Sequence, residues 1–204
     1  VVAAPYSGMV KRVSYETGET TTIIGGLVSP KGVEAGLDGL IYVTEYYQNG
    51  SVRMIDPYTG ENEVVVELAY PNGLALSNDD QTLYIATSGG WEGGIGAIAA
   101  IDRDADGTWN PEPRLVYQSQ SLVDAMAADT CGNLYVAESW TGRVFRIRAV
   151  DGTIDALAQL DPGPWGLTAA RFGPGIGDFW RDQLFVTNRT QVFVLEIGID
   201  GRHV

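Results

Sequence analysis

The sequence predicts an all-β propeller, and three observations carry that prediction. A block of Leu or Ile, an aromatic residue and a β-branched residue recurs four times behind a turn. The copies are Leu40-Ile41-Tyr42-Val43, Leu83-Tyr84-Ile85, Leu134-Tyr135-Val136 and Leu184-Phe185-Val186. The 204 residues include 26 glycines and nine prolines spread along the chain, the punctuation of many short strands. No segment sustains a helical apolar period of about 3.6 residues, so almost no helix is expected.

Each block justifies its neighbours in turn. Ahead of the blocks lie short runs that read as a further strand: Lys31-Gly32-Val33, Asn72-Gly73-Leu74, Asp124-Ala125-Met126 and Trp165-Gly166-Leu167, spaced 41, 52 and 41 residues apart. Behind the blocks follow hairpin arms: Ser51–Ile55, Gly96–Ile101, Arg143–Ile147 and Gln191–Leu195. The clearest unit is 69–90. There Gly73–Leu76 is a small apolar strand suited to a crowded axis, Ser77-Asn78-Asp79-Asp80 supplies turn chemistry, and Thr82–Thr87 is β-branched and aromatic. A repeat of roughly 40–45 residues with four short strands is the period of a propeller blade. Residues 1–19 align without a gap on 135–153, which places Val1 on the second strand of a blade. The single domain 1–204 is thus expected to hold a partial first blade at 1–27 and blades at about 28–68, 69–120, 121–161 and 162–204. Such a ring lacks strands, so a preceding segment or another chain is expected to complete it.

Charge and composition narrow the function classes. Twenty-six acidic residues against 13 basic ones give a net charge of −13, a surface that repels nucleic-acid phosphates and anionic lipid. Neither partner is expected, and no apolar run reaches the roughly 20 residues of a membrane span. A single cysteine, Cys131, forms no internal disulfide and leaves the compartment open, with an extracellular or periplasmic one slightly favoured. The only histidine, His203, lies in the final residues and is not expected to act as a catalyst, which excludes a Ser-His-Asp triad within the chain.

The first strand of a blade lines the central channel, so the residue that begins it faces a pocket. That position carries Lys31, Asn72, Asp124 and Trp165: a cation, an amide, a carboxylate and an indole. As turn-formers, Asn72 and Asp124 would merely cap strands. As a pair they are oxygen ligands for a hard cation, and Asp124 can serve as a base. Other groups rank lower. Asp102, Asp104, Asp106 and Gly107 open like a calcium loop but place Pro113 where the bidentate glutamate belongs, so a rim hairpin is expected. Glu45 and Glu138 are expected to pair with arginines such as Arg53 and Arg143, and Cys131 to sit in a turn. Tyr46, Tyr47, Trp91 and Trp140 could wall an apolar pocket, and Asn49 and Asn188 match glycosylation acceptors.

The stretches YPNGLALSNDDQTLYI and VDAMAADTCGNLYVAESWTGRVFRI resemble the regucalcin/gluconolactonase family of six-bladed propellers, which reads PNGL and PDGM at these places. The resemblance covers essentially the whole chain, with ARFGPGIGDFWRDQLFVTN similar to the last blade; related strictosidine synthases share parts of the motifs. It implies six blades in the complete protein, of which about five are represented here. It also implies one divalent cation, calcium or zinc, with Asn72 and Asp124 as ligands. Asp124 would then be the catalytic base, while Lys31 and Trp165 would hold a small-molecule substrate. Lys31 stands where the family carries an asparagine, Val123-Asp124-Ala125 replaces Pro-Asp-Gly, and the family's glutamate ligand would fall before Val1. The expected activity is metal-dependent hydrolysis of a lactone or related ester, with Lys31 also in the catalytic set; an ammonium there is unfavourable beside a cation unless it replaces the metal or grips a substrate carboxylate. The alternatives are a propeller that binds a ligand or protein without turnover, or a metal-free enzyme similar to strictosidine synthase.

Overall fold

A computed structural model describes residues 1–89, 91 and 94–202; His203 lies outside them. The chain forms five antiparallel sheets, a five-bladed β-propeller. The first sheet holds β1 (Val2–Ala4), β2 (Met9–Val13) and β3 (Thr20–Ile24), and the second β4 (Pro30–Ala35), β5 (Ile41–Glu45), β6 (Gly50–Ile55) and β7 (Asn62–Leu68). The third holds β8 (Pro71–Leu76), β9 (Thr82–Thr87), β10 (Gly96–Asp102) and β11 (Arg114–Ser119). In the fourth are β12 (Val123–Ala128), β13 (Leu134–Glu138), β14 (Arg143–Ile147) and β15 (Ile154–Gln159), and in the fifth β16 (Ala169–Phe172), β17 (Gln183–Thr187) and β18 (Val192–Glu196). Among the described residues the one helical segment is a 3-10 turn at Gly163–Trp165.

The core is a set of layers between neighbouring sheets. Tyr42, Val52, Leu74, Leu76, Leu83, Ile85 and Ile101 fill the layer between the second and third sheets. Met126, Val136, Phe145 and Ile98 fill the next, and Leu167, Leu184, Val186, Tyr135 and Val144 the one after. The recurring Leu-Tyr-Val blocks supply the buried positions of β5, β9 and β13, so the repeat seen in sequence is the repeat of this layer.

The innermost strands β4, β8, β12 and β16 pack side by side around the axis. Each of β4, β8 and β12 carries a β-bulge at its head: the register shifts between Pro30 and Val33, Pro71 and Leu74, and Val123 and Ala125. A bulge re-aims one side chain while the ladder continues. The residues it re-aims are Lys31, Asn72 and Asp124. Two bulge glycines let the strands approach. A Cβ on Gly32 would lie 2.2 Å from the Asn72 carbonyl oxygen, and one on Gly73 would lie 2.4 Å from that of Asp124. Thr44 ties the first of these contacts together, its Oγ1 accepting from Gly32 N and donating to Asn72 O, both at 2.7 Å.

One strand assignment differs from expectation. Trp165-Gly166-Leu167 is not an inner strand; β16 starts at Ala169. The preceding Asp161-Pro-Gly-Pro-Trp-Gly166 cannot join a ladder, because Gly163 and Gly166 hold φ of 59° and 78° and Pro164 lacks an N–H. By ladder register Thr168, three residues on, occupies the position of Lys31, Asn72 and Asp124.

Substituting Gly32 or Gly73 by Ala should destabilise the protein by about 1–3 kcal/mol, because the added methyl meets backbone that has nowhere to move. Urea denaturation of each variant checks this; a midpoint equal to that of the unsubstituted protein would remove the glycines from the account of strand approach.

Candidate functional site

The bulges bring Lys31, Asn72 and Asp124 to one mouth of the axis, where they line a cavity of about 280 Å³ with Thr168, Arg171 and Arg189. Asn72 Nδ2 donates to Asp124 Oδ1 at 2.6 Å, joining residues 52 apart in the chain. This orientation leaves the Asn72 carbonyl oxygen free of that bond. Burial pushes the Asp124 carboxyl above its ordinary 3.8, while Lys31, Arg189 and the Ser139 hydroxyl pull in the other direction and lose. A carboxylate so placed is a better base than one in water.

The two cations at the mouth are set by aromatic faces. Lys31 Nζ lies 4.6 Å from the centre of the Tyr46 ring, and the Arg189 guanidinium 5.3 Å from that of Trp165. Trp165 itself is 60% exposed and does not line the cavity, so it reaches the site through Arg189. Arg189 owes its position to the buried Asn188, whose Oδ1 accepts from the backbone N–H groups of Thr190 and Gln191 and whose Nδ2 donates to Asp161 O. That turn forces Arg189 to φ 73°. The same burial removes Asn188 from any role as a glycan acceptor.

Arg171 forms the floor. Its guanidinium donates to the carbonyls of Met126 (2.7 Å) and Val33 (3.0 Å) and lies 3.3 Å from Glu34. Below it Arg202 donates to Ser77 O and Ala35 O and pairs with Asp80 and Glu34. Burial raises the Glu34 carboxyl, against the pull of both arginines. The channel is thus closed beneath the cavity by neutralised ion pairs.

The remaining sequence candidates lie elsewhere. Burial would raise the Glu45 carboxyl, but hydrogen bonds from Val28 N, Arg53 and Ser51 hold it below the usual range. Glu138 is held by the hydroxyls of Ser119, Tyr117 and Thr141 instead of by an arginine. Asp102 pairs with Arg114 on the rim and Asp106 caps its own turn at Thr108, so the acidic run is a hairpin. Cys131 sits in the turn built on Asp129. Tyr46 stacks on Tyr70 as well as Lys31, and Trp140 is exposed.

The donor set bears on the cation that the resemblance implies. In the cavity the chain offers Asn72 Oδ1 and the Asp124 carboxylate as strong oxygen donors, and no group of three or more His, Cys, Asp or Glu gathers among the described residues. Calcium takes six to eight oxygen ligands and zinc four ligands. Two donors facing an ammonium and a guanidinium do not fit either ion. Arg189, Arg171 and Thr168 escaped the sequence reading. Arg189 had one usable signal, because the residues that follow the equivalent positions Glu45, Thr87, Glu138 and Asn188 are Tyr46, Ser88, Ser139 and Arg189, again a mixed set.

The family model for the SMP-30/gluconolactonase/LRE-like region matches residues 26–189. Comparison with curated proteins finds no match. Among solved structures, a gluconolactonase from Xanthomonas campestris is 23% identical with a TM-score of 0.74, over 94% of this chain and 66% of that one. Regucalcin from Agrobacterium tumefaciens, titled a calcium-binding protein, is 15% identical with a TM-score of 0.60, over 98% and 85%. A chain of a nidogen/laminin complex is 17% identical with a TM-score of 0.73, over 95% and 72%. These likenesses show the fold. No described helix is long and apolar enough to cross a membrane.

Because the folded Asp124 holds its proton to higher pH than the unfolded one, the folded state loses stability as pH rises through that window. Asp124→Asn, which cannot ionise, should therefore be more stable than the unsubstituted protein near pH 7. The gain should vanish as pH falls below 3.8. Denaturation midpoints across pH check this; a destabilised variant at neutral pH contradicts it.

Proposed function

The chain belongs to the SMP-30/gluconolactonase/LRE-like family, and on that premise we propose that it is a lactonase-like hydrolase acting on a small cyclic or linear ester. The observation that carries this reading is the half-buried Asp124, held by Asn72 and faced by Lys31 at the cavity mouth. The Asp124 carboxylate takes a proton from water, and the oxygen left behind forms a bond to the ester carbonyl carbon. Charge develops on the carbonyl oxygen, where the Lys31 ammonium stabilises it. The carbon–oxygen bond to the leaving group then breaks, and that oxygen recovers the proton from Asp124. A hydroxy acid results, or an acid and an alcohol. Asn72 acts by fixing the carboxylate through its Nδ2. Trp165 acts on substrate through Arg189.

The divalent cation expected from the family would have only Asn72 Oδ1 and Asp124 for donors in this cavity, and no step is assigned to it. A second reading, a propeller that binds without turnover, is favoured by the cations of the mouth. A chain of a nidogen/laminin complex shares this fold.

Asp124→Asn should lower kcat/KM on simple lactones by about 10²–10⁴-fold, the usual worth of a positioned base. Lys31→Met should lower kcat more than it raises KM, because its charge bears on the transition state. The log of kcat/KM should climb with pH along a limb whose midpoint lies above 3.8, as Asp124 must be ionised to act. Turnover that survives both substitutions would end this mechanism. Turnover that appears only with added calcium or zinc would restore the cation in place of Lys31.

A further inference from the structure

The protein carries a net charge of −13, yet its axial cavity gathers Lys31, Arg171 and Arg189 around a single carboxylate. Arg171 is neutralised by Glu34 and its donors are spent on backbone carbonyls. Among the described residues Asp124 is the one carboxylate lining the cavity with Lys31 and Arg189, and each of these cations lies over an aromatic ring. The mouth therefore holds two cations against one carboxylate. Arg12 and Arg143 also lie over aromatic rings without an ion pair among the described residues; Lys31 and Arg189 differ in that both line one cavity, where a ligand can supply the missing negative charge.

We propose that the cavity selects a small substrate that itself carries a carboxylate, and that Arg189 is the residue that binds it. This deepens the hydrolase reading and rests on it for the site. Two features assign the roles. Lys31 stands at the same inner-strand position as Asn72 and Asp124, so it belongs at the reacting carbonyl, while Arg189 lies past the end of β17 beside the exposed Trp165, at the distal end of the ligand. A guanidinium presents parallel N–H groups that match a carboxylate in two places, which an ammonium cannot do. Trp165 lies against that guanidinium, Arg189 lines the cavity, and the Asn188 turn fixes where it stands. The cavity of about 280 Å³ suits a single small ring with one acidic substituent.

The test compares a γ-lactone bearing a ring carboxylate, the lactone of hydroxyglutaric acid, with its neutral primary amide. Binding is read by calorimetry on Asp124→Asn, and turnover on the unsubstituted chain. The acid should bind at least about tenfold more tightly than the amide, a difference of about 1.4 kcal/mol, and its affinity should fall as salt rises. Arg189→Gln should erase the preference by weakening binding of the acid far more than that of the amide, and Arg189→Lys should restore part of it. Thermal unfolding of each variant verifies that the fold is retained. Equal binding of acid and amide, no binding of the acid at about ten millimolar, or a preference that survives Arg189→Gln overturns the proposal. If the acid is preferred through Arg189 but never opened, the hydrolase reading falls and the carboxylate site stands. If acid and amide are opened at equal rates regardless of Arg189, the hydrolase reading stands and this assignment falls.

Discussion

The close approach of neighbouring inner strands at the axis is the constraint on which the rest of this structure depends. Gly32 lies against Asn72 and Gly73 against Asp124 with no room for a Cβ, and a bulge at each strand head turns the adjoining side chain toward the axis. The two features act together. Without the glycines the strands would stand too far apart for Asn72 to reach Asp124 at 2.6 Å. Without the bulges those side chains would follow the pleat into the layers between sheets. The site is therefore a consequence of how the blades pack: the second, third and fourth contribute Lys31, Asn72 and Asp124, and the fifth contributes Thr168, Arg171 and Arg189.

Below the mouth the same register explains how the axis is closed. One step along the inner strands past Val33, Leu74, Met126 and Ala170 stand Glu34, Ala75, Ala127 and Arg171. Two alanines leave space that an oppositely charged pair fills. Burying the Glu34 end of such a pair is costly unless the remaining donors are satisfied. Arg171 satisfies its own on carbonyls of β4, β8, β12 and β16, so one side chain ties four blades together. Arg202 performs the same service at the far end, bringing the last described residues under the ring. Charge in the floor is neutralised; charge in the mouth is not. That difference separates residues that hold the fold from residues that await a ligand.

A fold shared with a gluconolactonase and with a nidogen/laminin complex does not choose between catalysis and binding. The choice lies in the mouth, where the family's cation-binding character meets Lys31 and Arg189. A cation and an ammonium are alternative ways of polarising the same carbonyl. On the proposed reading the Lys31 ammonium takes that part, with Asn72 and Asp124 in their bonded arrangement.

Much of this was legible in the sequence. The Leu-Tyr-Val repeat with its turns specified an all-β propeller, because a period of about two residues per strand and a glycine-rich turn are local properties. The inner-strand positions of Lys31, Asn72 and Asp124 were legible too, because their spacing follows the blade. Trp165 was placed by that same spacing and stands outside the cavity: two prolines and two glycines with positive φ delayed the strand, and Thr168 took the register position. Arg189 and Arg171 could not be read from spacing, since their direction is set by a buried Asn188 turn and by carbonyls from four different blades. Local periodicity is written in neighbouring residues. Which charges meet across the axis, and which remain unmatched there, depends on contacts between residues 40 to 140 apart, and only the packing of the blades decides them.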